Sequence, residues 1–159
     1  MKQSFAIIHS IILCLFLTSC ATGFQDKSEC IGFKELVGKK IECRKDLLIV
    51  YDWTHDEYYL FRPSTLFPTI EEYENQGKTY INFNDNTIVR GIMKTGSQIT
   101  VLKAGLENKG VTMGYYPALF VKDSENKTYY LPSDYYMIDS KDSKDGIIGL
   151  NTDYLKIIE

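Results

Sequence analysis

The sequence predicts an all-β fold, a small barrel or sandwich of short antiparallel strands. Three observations lead there. From Lys39 onward, short segments alternate apolar and polar residues with the period of two that a half-buried strand requires. Turn chemistry recurs about every 8–12 residues, as at Thr54-His55-Asp56, Asn84-Asp85-Asn86 and Lys94-Thr95-Gly96-Ser97. Helix-like patterning is confined to one short stretch, Ile70-Glu71-Glu72-Tyr73-Glu74.

The N-terminal segment stands apart from that pattern. Lys2 is followed by an almost wholly apolar run from Phe5 to Leu17, broken only by His9 and Ser10. A helix needs about 20 apolar residues to cross a bilayer, and this run is shorter. A charged start, a short apolar stretch and small residues at its end describe a secretory signal. Its last four residues, Leu17-Thr18-Ser19-Cys20, resemble the lipobox of bacterial lipoproteins. That resemblance implies cleavage between Ser19 and Cys20, diacylation of the Cys20 sulfur with palmitate-like chains, and attachment to the membrane. Two acyl chains make a stable anchor, whereas one binds marginally. Ala21 stands where an aspartate would retain a lipoprotein at the inner membrane, so the resemblance implies the outer membrane, facing the periplasm, in a source with two membranes. The expected organisation is a signal peptide over 1–19, a lipidated tether over 20–29 and a single all-β domain over 30–159.

The tether, ATGFQDKSE after the cysteine, is polar and patternless. Nine flexible residues reach roughly 15–18 Å. Cys14 leaves with the signal and Cys20 takes lipid, so Cys30 and Cys43 remain in a compartment where disulfides persist. They are expected to pair, which would contribute roughly 3 kcal/mol; two free thiols are the alternative. With His55 as the one histidine outside the signal, a structural zinc site lacks ligands, and no metal or cofactor is expected.

The strands follow in order. Ile41 and Cys43 alternate with Lys40, Glu42 and Arg44; Leu47 to Trp53 is a denser run and so a more buried strand. Glu57 to Phe61 returns after the Thr54-His55-Asp56 turn and ends at Arg62-Pro63, because proline cannot donate to a ladder. Residues 63–77 are the longest excursion. Lys78 to Phe83, Thr87 to Met93 and Gln98 to Leu102 are strands, and Ala104-Gly105 bends or ends the last of them. Tyr116 to Val121, Lys127 to Leu131 and Tyr135 to Ile138 follow, then a charged loop from Asp139 to Gly146 and a final apolar segment, 147–158. The stretch Val89 to Leu102, with Arg90-Gly91-Ile92-Met93-Lys94-Thr95-Gly96-Ser97 at its centre, resembles the core hairpin of bacterial SH3-like domains and implies an SH3-like barrel.

Charge narrows the function classes. The full chain carries a net charge of −3, and loss of Lys2 makes the mature protein more acidic; without a dense basic patch, nucleic acid is not the expected partner. All 12 tyrosines lie beyond the signal, eight of them in the doublets Tyr58-Tyr59, Tyr115-Tyr116, Tyr129-Tyr130 and Tyr135-Tyr136. Successive strand residues face opposite sides, so each doublet turns one ring in and one out. If their strands are neighbours, the outward rings form an aromatic strip suited to a sugar or an extended peptide; half-buried strands also use tyrosine for packing alone.

Asp52-Trp53-Thr54-His55-Asp56-Glu57 gathers the remaining histidine and several carboxylates, which acid/base chemistry could use, but it coincides with a hairpin turn where polar residues belong. Asp139, Asp142 and Asp145 are three apart, the wrong spacing for an EF-hand loop. The sequence therefore reads as a lipid-anchored envelope protein that binds or scaffolds without catalysis, with peptidoglycan, an envelope protein or an exported ligand as partner. An inhibitor whose 63–77 or 139–146 loop inserts into a target is a subtype of that reading. The alternative is a small hydrolase built on Asp52, His55, Asp56 and Glu57.

Overall fold

A computed structural model describes residues 23–63, 68–75, 86–108, 115–132, 137–138 and 149–159. The lipobox with Cys20, the expected strand from Lys78 to Phe83, Tyr135, Tyr136 and the 139–146 loop lie outside the described residues.

The fold is all-β. Eleven strands are described: β1 (Gly23–Asp26), β2 (Lys40–Cys43), β3 (Leu47–Asp52), β4 (Glu57–Phe61), β5 (Thr87–Met93), β6 (Gln98–Asn108), β7 (Tyr115–Lys122), β8 (Thr128–Leu131), β9 (Met137–Ile138), β10 (Gly149–Leu150) and β11 (Leu155–Ile157). Nine of them form one mixed sheet in the order β11-β2-β6-β7-β8-β4-β3-β5, with β1 paired to the far half of β6; β9 and β10 form a separate pair. One helix, α1 (Ile70–Asn75), lies between β4 and β5.

β3 shows why its sequence lacks strict alternation. Leu47 joins the main core, with Ile49 packed against it, while Leu48 and Val50 join a second cluster on the opposite face with Val89 and Tyr73. A strand covered on both sides reads as a continuous apolar run. Tyr73 and Ile70 bring α1 onto that second cluster. Thr69 starts the helix with a capping box: its hydroxyl accepts the Glu72 amide at 3.1 Å, and the Glu72 carboxylate accepts the Thr69 amide at 2.7 Å.

The main core draws Ile41, Leu60, Ile99, Leu119, Leu131 and Leu155 from six strands, all at most 1 % exposed. Full burial of one such side chain contributes roughly 1.5–3 kcal/mol. The turn from Lys94 to Ser97 closes by a Ser97 amide to Lys94 carbonyl bond, and Gly96 adopts φ +85° there, a conformation that glycine enters without steric cost.

Two expectations are corrected. Cys30 and Cys43 are not bonded; both thiols are free. Cys43 points into the core from β2 and is fully buried, whereas Cys30 sits exposed in the turns before that strand. Burial, and then the charge of Glu42, pushes the Cys43 thiol up to about 12. The polar stretch expected to be tether also contains a strand. β1 pairs antiparallel with β6 from Gly23↔Asn108 to Asp26↔Gly105, and Ser28 extends the contact by exchanging bonds with the Ala104 backbone.

Candidate functional site

One register decides the site. β4 and β8 run parallel, with Tyr59 opposite Tyr130. The doublets Tyr58-Tyr59 and Tyr129-Tyr130 therefore lie side by side, and each divides its rings between the two faces of the sheet.

On the inner face, Tyr58 contacts Tyr51 and Tyr129, with ring centroids 4.9 and 6.3 Å apart. The Lys127 ammonium sits 3.5 Å from the Tyr58 centroid. The Tyr129 hydroxyl donates to Asp123 at 2.7 Å, and Tyr51 donates to Asp56 at 2.6 Å. These rings are engaged within the protein.

On the outer face, Phe24 of β1 meets Phe120 of β7 edge-on at 4.9 Å, Phe120 meets Tyr130 at 4.9 Å, and Tyr130 meets Tyr59 at 5.3 Å. Phe61 stacks on Tyr59. Of the doublet tyrosines, Tyr59 and Tyr130 lie in this row, and its other three rings are Phe24, Phe120 and Phe61. Phe24, Phe120, Tyr59 and Tyr130, with His55, Glu57 and Glu107, line a cleft of about 390 Å³, within the size range of small-ligand sites.

Two carboxylates, Glu57 and Glu107, line the cleft beside His55. Burial, and then the charges of Glu57 and Asp52, pushes the Tyr59 hydroxyl far up; burial and then Glu107 does the same to Tyr130. Both phenols stay protonated at any ordinary pH. Tyr59 donates a long bond to Glu57 at 3.3 Å. At the rim, His55 Nδ1 lies 2.9 Å from Asp52 Oδ2, and that bond, with the carboxylate's charge, raises the histidine's pKa.

The hairpin cluster divides. His55 and Glu57 line the outer cleft, and Asp52, bonded to His55, also accepts the Thr54 amide at 2.8 Å to close the turn. Asp56 takes a left-handed φ of 54° and turns to Tyr51 instead. The four residues do not converge. Tyr115 is exposed at the start of β7, and Tyr116 pairs in register with Glu107. Among the described residues, no three His, Cys, Asp or Glu side chains gather to hold a metal ion.

Phe24, Phe120 and Glu107 had no signal of their own in the sequence. Phe24 is a lone ring in a polar stretch, and the other two are ordinary strand positions. Comparison with family models, characterised proteins and solved structures finds no match to this chain.

Proposed function

We propose that this chain is a lipid-anchored protein of the bacterial envelope that binds a ligand in the outer cleft and does not transform it. One observation carries the binding half: four rings from four different strands meet around a cleft together with two carboxylates. Rigid aromatic walls supply contact area at low entropic cost. No serine, threonine, cysteine or lysine is among the described residues that line it. The anchoring half is supported by the Leu17-Thr18-Ser19-Cys20 lipobox and its charged, apolar leader.

A hydrolase is the second reading, favoured by the Asp52–His55 pair at the rim of the cleft beside Glu57. In it His55 is the general base and Asp52 its orienting partner.

The test is expression of the full chain in a bacterial host beside Cys20→Ala and His55→Ala. Intact mass should show acyl chains on the wild type in the membrane fraction, and Cys20→Ala should lose both. An unmodified, freely soluble wild type overturns the anchor. Ligand capture without turnover by the wild type supports the first reading; a hydrolytic activity that is lost in His55→Ala would favour the second.

A further inference from the structure

We propose that Trp53 and Tyr115, on either side of the outer cleft, seat in the headgroup layer of the membrane that holds the anchor. This rests on the anchoring half of the reading above and adds a surface by which the folded domain itself meets lipid.

The exposed apolar side chains sort by place. Among the described residues, the large ones left exposed are Ile31, Trp53, Leu102, Tyr115 and Ile157. The three aliphatic ones belong with the middle and first part of β6. Leu102 is on that strand, and Ile157 pairs with Ile41, which pairs with Ile99 of β6. Ile31 lies in the turns after β1, which the Lys27 and Gly38 amides tie to the Ala104 and Val101 carbonyls of β6. The two aromatic ones sit beside the other end. Tyr115 is the register partner of Asn108, and Asn108 is that of Gly23, so the Tyr115 and Gly23 Cα atoms are about 10 Å apart. Trp53 comes two residues before His55, which lines the cleft together with Gly23 and Asn108.

Both rings are held out by ordered backbone. Trp53 is 45 % exposed although its amide donates to the Asn86 carbonyl at 3.1 Å and Asp52 caps the next amide at 2.8 Å. Tyr115 is 55 % exposed at a paired strand position. Their exposure belongs to the fold, not to a loose end.

Position and side-chain chemistry name the partner. Cys20 is three Cα steps of about 3.8 Å from Gly23, so an acylated Cys20 keeps this end of the sheet against the bilayer. Single apolar residues on a protein surface are ordinary. Trp and Tyr, however, are the side chains that collect at a membrane–water interface, with the ring at the acyl boundary and the polar atom among the headgroups. The aliphatic side chains, which lack that polar end, are the ones placed elsewhere. Two acyl chains already supply affinity, and the rings add two further points of attachment.

The chain has one tryptophan, so its emission reports Trp53 alone. The test reconstitutes the acylated full chain into phosphatidylcholine vesicles, with and without lipid brominated on the upper acyl carbons. These vesicles carry no net charge, which keeps the reading on the rings. Trp53 emission should shift to the blue and be quenched by the brominated lipid. Tyr115→Ser should lose most of that quenching while it still floats with the vesicles and melts near wild type. Ile31→Ser should keep it. A wild type that floats with Trp53 unshifted and unquenched overturns the contact and leaves the anchor standing. A wild type that carries no acyl chain and does not float overturns the anchor, and the contact with it. Equal loss in Ile31→Ser and Tyr115→Ser overturns the placement at this end. A blue shift that appears only on adding envelope extract, without quenching by brominated lipid, assigns the rings to a protein partner and also overturns the proposal.

Discussion

The Phe24 ring of β1 lies over Gly105 of β6, in the space a side chain there would fill. A Cβ on Gly105 would overlap both that ring and the Gln25 carbonyl oxygen. The glycine is thus what lets β1 close on β6 and bring Phe24 to the cleft. Gly105→Ala should cost about 1–3 kcal/mol and loosen β1 selectively. Hydrogen exchange checks this: the amides that pair β1 with β6 should lose protection while those between β3 and β4 keep it.

The two domain cysteines should behave as unlike thiols. Cys30 is exposed, and Cys43 is buried with its thiol pushed up to about 12 by burial and then by Glu42. A thiol reagent should modify Cys30 in the native protein and Cys43 only after denaturation. Failure of both to react in denaturant without reductant would show a disulfide.

Asp46 ties the turn before β3 to the turn after β5. Its carboxylate accepts the Thr95 amide and hydroxyl at 2.7 and 2.8 Å and pairs with Lys94 at 3.0 Å. Lys94 reaches on to Glu74 of α1 at 2.7 Å. Asp46→Ala should cost about 1–2 kcal/mol in urea unfolding at neutral pH. The Thr95 amide bond is the first cause that lowers this carboxyl's pKa in the folded protein. Its contribution is therefore present above the ordinary aspartate value and is lost as pH falls through the lowered one. The gap between wild type and variant should shrink at about pH 3.

His55 should titrate above its ordinary range, because it bonds to Asp52 and feels that charge. The sign is opposite to that of Asp46. A raised histidine stabilises the fold below the unfolded value, about 6.5, and that contribution fades as pH rises through the folded one. Proton NMR should place the His55 midpoint above normal and return it toward normal in Asp52→Asn. An unshifted wild-type midpoint would remove the pair.

The local patterns were readable in advance and the long-range pairings were not. Glu57 to Phe61 and Thr87 to Met93 were bounded as strands from alternation and turn residues alone, and the apolar density from Leu47 marked a more buried strand, which the fold covers on both faces. Gln98 to Leu102 was read as ending near Ala104-Gly105, yet β6 continues to Asn108, because Gly105 accommodates a neighbouring strand. The doublets pointed to Tyr59 and Tyr130, but their meeting depends on a parallel pairing between strands about seventy residues apart, which no local pattern encodes. The cysteine expectation followed from compartment. The geometry prevailed: Cys43 alternates with Glu42 on β2, which commits its sulfur to the core.

β1 changes what the proposed anchor does. As a tether, nine residues would let the domain wander in height above the bilayer. With β1 paired to β6 from Gly23 onward, only Ala21 and Thr22 would separate an acylated Cys20 from the sheet. From Cys20 to Gly23 the chain spans no more than about 11 Å even if fully extended. Gly23 itself lines the cleft. On that anchoring, the lipid sets the heading of the molecule as well as its altitude, and the mouth of the cleft stays at the level of the headgroups, where a ligand arriving along the membrane plane meets it in two dimensions instead of three.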